Sequence, residues 1–123
     1  MTTLVKGQYP GGFLVWEVLR DYTRETVTLA SGAGKLAPGT VLGRITTGGN
    51  YTVLTPGASN GSQTAAGILW GQADATDAAA PAVVLLRGPA IVNHHEIIWP
   101  EGITEGQTNT ALAALATLGI IQR

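Results

Sequence analysis

His94 and His95 are the only histidines of this 123-residue chain, and they are adjacent. In an extended strand neighbouring side chains point to opposite faces, so the pair is not expected to hold one metal ion. A structural zinc site takes four ligands, and no metal centre is expected. The segment Ser31-Gly32-Ala33-Gly34-Lys35 has the glycines and lysine of a phosphate-binding loop. It fails the spacing, because Leu29 stands where the first glycine is needed and Leu36 where Ser or Thr must follow the lysine. A turn is expected there. The eight carboxylates are scattered, and Ser31, Ser59 and Ser62 sit in glycine-rich loops without the Gly-x-Ser-x-Gly elbow. A catalytic triad needs no adjacency in sequence, yet nothing here points to one.

The elements around these residues are short strands. Thr64 to Gly71, Leu36 to Ile45 and Pro81 to Val92 are apolar stretches interrupted by Gly or Pro. None can bury its side chains alone, so a small sheet curled on itself is expected, with these three in its centre. Glu25 to Leu29 alternates, with Thr26 and Thr28 to one side and Val27 and Leu29 to the other. Thr47-Gly48-Gly49-Asn50 predicts a hairpin turn into Tyr51–Leu54. Asp74 to Ala80 reads as a surface loop, Ala82 to Leu86 as a strand buried on both faces, and Glu96 to Trp99 as a strand stopped by Pro100. Asn50-Tyr51-Thr52 and Asn60-Gly61-Ser62 match the glycosylation pattern, which is discounted without a secretion signal.

Thr104 and Gln107 form a capping box for a helix through Leu118. Leu112, Leu115 and Leu118, with Ala111 and Ala114 beside them, predict its apolar stripe. Gly119 is the expected stop, after which Ile120 and Ile121 can return to the sheet. Trp99 is expected in the core beside this helix.

Residues 1–24 differ in character. Pro10-Gly11-Gly12 breaks the chain, and four of its seven aromatic residues (Tyr9, Phe13, Trp16, Tyr22) fall in this first fifth. Two expectations compete: an edge strand of the domain, or an arm that adds a strand to a partner's sheet.

Composition narrows the class. Glycine occurs 17 times, and charged residues make up 12 %, about half the ~25 % of average proteins. That balance favours turns and subunit contacts over a heavily solvated surface. Seven basic residues with no run among them make nucleic acid an unexpected partner. Cysteine is absent. No stretch approaches the ~20 apolar residues of a membrane span, so no membrane association is expected. The residues alone define one mainly β domain with a short C-terminal α-helix (an α+β chain).

Three segments carry a family resemblance: Leu36-Ala37-Pro38-Gly39-Thr40-Val41-Leu42-Gly43, Gly61-Ser62-Gln63-Thr64-Ala65-Ala66-Gly67-Ile68-Leu69, and Ile98-Trp99-Pro100-Glu101. Their order and spacing, with the opening Tyr9-Pro10-Gly11-Gly12-Phe13-Leu14, resemble the lambda-type bacteriophage head decoration proteins. The resemblance implies a small pseudo-barrel of short strands at 25–123 with an extended N-terminal arm at 1–24. It implies a homotrimer on three-fold positions of the expanded capsid, outside the head, made in the host cytoplasm. There it would bind the major capsid protein and cement the shell against packaged DNA, without catalysis or cofactor. Leu4, Val5, Tyr9, Phe13, Leu14 and Trp16 are the residues expected to attach the arm to the capsid, because they are apolar and outside the expected core. Two other classes fit the residues: a small β-barrel module binding carbohydrate or peptide, and an unrecognised hydrolase using His94 and His95.

Overall fold

Val41 and Leu42 are consecutive, and both are fully buried. That is possible only if both faces of the strand are covered, because consecutive side chains leave a strand on opposite sides. A computed structural model, describing residues 12–17 and 20–123, shows what covers them. The elements in order are β1 (Leu14–Glu17), α1 (Arg20–Thr23), β2 (Arg24–Leu29), β3 (Gly34–Leu36), β4 (Val41–Arg44), β5 (Tyr51–Val53), β6 (Ala65–Leu69), β7 (Ala73–Ala75), β8 (Ala80–Leu85), β9 (Ala90–Val92), α2 (Glu105–Thr117) and β10 (Ile120–Gln122). A 3-10 turn at His94–Glu96 lies between β9 and α2.

Five strands hydrogen-bond in a closed ring, in the order β2-β5-β4-β6-β8. Its closing seam is narrow: β2 and β5 share the single registered pair Leu29 and Tyr51. The three apolar stretches anticipated at the centre supply β4, β6 and β8, which are neighbours in the ring. Their two faces feed two cores. Val41, Ile68 and Leu85 join Phe13, Leu54, Val92, Leu115 and Ile120 in one cluster. Leu42, Leu69 and Val84 join Leu29, Ala73 and Ala75 in the other. β4 and β6 read as continuous apolar runs because most of their residues are covered on both faces.

The alternation of β2 holds, with Leu29 buried and Thr26 and Thr28 exposed. β4 and β5 form the expected hairpin, pairing Arg44 with Tyr51. The capping box of α2 is complete: Thr104 Oγ1 accepts from the Gln107 amide at 3.1 Å, and Gln107 Oε1 accepts from the Thr104 amide at 3.0 Å. Gly119 ends the helix with φ +89, a left-handed conformation that glycine adopts without strain. Trp99 is half-buried against the cluster that contains Ala111 and Leu115 of α2.

Four expectations need correction. The loops expected at 31–35 and 74–80 overlap β3 and β7, paired in register Gly34–Ala75, Lys35–Asp74 and Leu36–Ala73. This ribbon buries Ala73 and Ala75, residues too small to announce a strand in a polar context. The run Ala82–Leu86 is not buried throughout, since Val83 is 38 % exposed. His94–Glu96 is a 3-10 turn rather than strand, because Asn93 Oδ1 accepts from the His95 amide at 3.0 Å and starts a turn. Beyond it, strand pairing reduces to one parallel bridge between Thr40 and Ile98. The helix stripe is Ala111 and Leu115, both buried, flanked by Ala114 and Leu118, whereas Leu112 lies outside the cluster. A period of three drifts by about 60° per step around a helix of 3.6 residues per turn, so Leu112 cannot share a face with Leu118.

Candidate interaction surface

A second sheet lies outside the ring, in the order β1-β9-β10. β9 begins just past Gly88–Pro89, which separates it from β8, so the downstream apolar stretch serves two sheets. In β9, Ala90 and Val92 face the core at 1 % exposure each, and Ile91 between them must face out. β10 runs parallel to β9 and pairs Ile120 with Ala90 and Ile121 with Ile91. Ile120 is therefore buried, at 1 %, and Ile121 is 51 % exposed.

β1 completes the row. It is antiparallel to β9, with Leu14 opposite Val92, Trp16 opposite Ile91 and Glu17 opposite Ala90. The register shifts between Leu14 and Trp16. One extra residue in the bulged strand places Val15 and Trp16 together against Ile91. Both consecutive apolar side chains consequently reach solvent, at 52 % and 50 % exposure. Trp16, Ile91 and Ile121 form a cross-strand apolar row on the outer face, with Val15 beside it. Apolar clusters of this kind mark interaction sites more often than isolated exposed residues do.

Among the described residues no strand pairs with the far edge of this sheet. Ala90 N–H donates to Gly119 O at 3.1 Å and Arg123 N–H to Val92 O at 2.8 Å. In a parallel ladder this turns residues 119, 121 and 123 toward β9 and leaves the amides of Ile120 and Gln122 directed away from it.

β1 is held from two sides. Inside, Phe13 is fully buried and meets Trp70 edge-on, ring centroids 5.9 Å apart and planes at 73°. Outside, the Glu17 carboxylate pairs with Arg24, accepts from Arg24 Nε at 3.2 Å, and accepts from Thr23 Oγ1 at 2.5 Å. The Arg24 guanidinium lies over the Trp70 ring, 3.3 Å from its centroid. The clamp thus joins β1, β2 and the residue following β6.

Of the six residues expected to attach an arm, Leu4, Val5 and Tyr9 lie outside the described residues. Phe13 is a core residue, and its place there removes the premise that put it on a docking surface. Leu14 is half-buried against the same core. Trp16 is exposed and sits in the row. The row also contains Val15, Ile91 and Ile121, which the sequence did not single out. Ile120-Ile121 carried a partial signal, since two adjacent strand residues lie on opposite faces and one of them faces out wherever only one face is covered. Val15 carried none, because a bulge is set by pairing.

Among the described residues no group of three or more His, Cys, Asp or Glu could hold a metal ion. Asp74 has a carboxyl held below its ordinary value, first by the Thr76 hydroxyl and then by the Thr76 amide, with a smaller effect of Lys35. It caps a turn, with both Thr76 groups bonded to Oδ1. The chemistry available is that of surface contact: an apolar row beside a strand edge that no described strand pairs.

Comparison with curated proteins gave no match. A family model described as bacteriophage lambda head decoration protein D matches residues 3–120, nearly the whole chain.

Proposed function

The chain belongs to the bacteriophage lambda head decoration protein D family, and from that membership we propose how it decorates. As a member it is a structural protein of the phage capsid and not an enzyme. In our proposal it binds the outside of the expanded head at three-fold positions as a homotrimer, against the major capsid protein, and stabilises the shell against packaged DNA. The N-terminal segment and the outer face of β1-β9-β10 make the contact, with Trp16 as the anchor and Leu4, Val5, Tyr9 and Leu14 supporting it. Phe13 acts from the core, by holding β1 in place.

The observation that carries this proposal is the outer row of exposed Trp16, half-buried Ile91 and exposed Ile121, with exposed Val15 beside it. An apolar row with a tryptophan suits the centre of a protein interface, where charge is depleted and aromatic residues are enriched. Three copies, each with its own face, bind more firmly than one through effective concentration.

Co-sedimentation with expanded heads tests it, using the full chain, Trp16→Ala and a chain lacking residues 1–11. Binding by the full chain with loss in both variants, each folded by circular dichroism, supports the assignment. Undiminished binding by both variants would place the contact elsewhere. A folded full chain that ignored expanded heads, yet bound a sugar or peptide, would favour the binding-module class.

A further inference from the structure

Asn60-Gly61 is the only Asn-Gly pair in the chain, and the fold requires both residues. Gly61 has φ +108, and a Cβ there would lie 2.5 Å from Arg44 O and from Thr46 Oγ1. Asn60 closes the turn: its Oδ1 accepts from the Ser62 amide at 3.1 Å and from Ser62 Oγ at 2.6 Å, and its carbonyl accepts from Thr46 N–H at 2.8 Å. A small residue after asparagine exposes the following amide nitrogen to the side-chain carbonyl carbon. The fold therefore fixes a chemically labile pair on an exposed loop.

It also supplies a guard. The Gly61 N–H, whose nitrogen is the nucleophile of that reaction, donates to Gln63 Oε1 at 2.8 Å. We propose that Asn60 is a latent deamidation site and that Gln63 suppresses its conversion. In the reaction the Gly61 nitrogen bonds to Asn60 Cγ, the Cγ–Nδ2 bond breaks, and ammonia leaves with the amide proton. Water then opens the cyclic imide to aspartate or isoaspartate, with no redox change. The amide must give up its proton to attack, and Gln63 occupies that proton and covers it from base. Isoaspartate would add a methylene to the backbone where Thr46 N–H and Asn60 O now meet, so conversion would loosen the loop from the end of β4. The inference is independent of how the protein docks.

The test is incubation of the full chain in mildly alkaline buffer, with conversion at residue 60 followed by peptide mass spectrometry. Wild type, Gln63→Met and Gln63→Ala are compared folded and in denaturant. Gln63 is exposed, so neither substitution removes core packing, and melting curves confirm folding. Folded wild type is expected to convert more slowly than denatured wild type. Folded Gln63→Met and Gln63→Ala should convert about fivefold faster than folded wild type, the factor that one hydrogen bond of ordinary net strength represents. In denaturant all three should convert alike. Equal rates for the folded chains would overturn the role of Gln63, and a folded wild type as fast as the denatured chain would overturn protection by the fold.

Discussion

The guanidinium of Arg24 lies 3.3 Å from the centroid of the Trp70 ring while it pairs with the carboxylate of Glu17. One cation thus ties the first strand to the barrel through an aromatic face and an ion pair. The side chains of Arg24 and Glu17 are only 21 % and 11 % exposed, so solvent screens the pair less than it would a surface bridge.

Arg24→Ala and Glu17→Ala are each expected to lower stability by about 2 kcal/mol, because each strands a largely buried charge or loses the ring contact. The double substitution should cost less than the sum of the two, since the second removes a charge already without its partner. Urea denaturation of the three variants checks this. Additive losses would mean the two residues act independently.

Phe13 and Trp16 stand three positions apart and should behave oppositely. Phe13→Ala removes a fully buried ring and is expected to cost about 3–5 kcal/mol. Trp16→Ala should change stability by no more than about 0.5 kcal/mol and lower affinity for expanded heads by about tenfold or more, as loss of an aromatic anchor does. Equilibrium unfolding and head binding, measured on both, separate core from contact. A large stability loss in Trp16→Ala would argue against its assignment to the docking face.

Two glycines should respond in opposite directions to alanine. A Cβ on Gly43 would meet the Ser62 backbone, with Cα at 2.7 Å, so Gly43→Ala should destabilise by about 1–3 kcal/mol as overpacking does. Gly106, in the first turn of α2, has open space around its would-be Cβ, and Gly106→Ala should stabilise by up to about 1 kcal/mol through helix propensity and a less flexible unfolded chain. Thermal melts of the two would contradict the packing described if their order were reversed.

Asp74 offers a test by pH. Its carboxyl titrates below its ordinary value in the folded chain, chiefly because the Thr76 hydroxyl bonds to the charged form. A depressed folded value contributes stability above the ordinary aspartate range, and that contribution is lost as pH falls through the lowered folded value. Thr76→Val should therefore raise the Asp74 titration midpoint toward the ordinary value, read by side-chain carboxyl NMR. An unchanged midpoint would show that the hydroxyl is not the cause.

Local chemistry was legible where a few neighbouring residues decide the outcome. Thr104 and Gln107 make the capping box, Gly119 ends the helix, Thr47 to Asn50 turns the chain between β4 and β5, and Val27 and Leu29 alternate with Thr26 and Thr28. Each depends on backbone geometry within one turn or one strand. The three apolar stretches bounded by Gly or Pro also foretold a small curled sheet with β4, β6 and β8 at its centre, and these are neighbours in the ring.

What only the tertiary structure decided is how distant strands meet. That Phe13 belongs to the core follows from the pairing of β1 with β9, not from the apolar density around it. The bulge that turns Val15 and Trp16 outward together exists only in register with Ile91, and the row ends at Ile121 because β10 returns parallel to β9. Ala73 and Ala75 are buried because β7 packs them into the cluster of Leu29, Leu42 and Val84 from other strands. A side chain's type states what it would lose by facing water, and local sequence states which way its neighbours alternate. Which face is covered depends on a partner strand far along the chain, and that choice sets which apolar residues remain outside for another protein to touch.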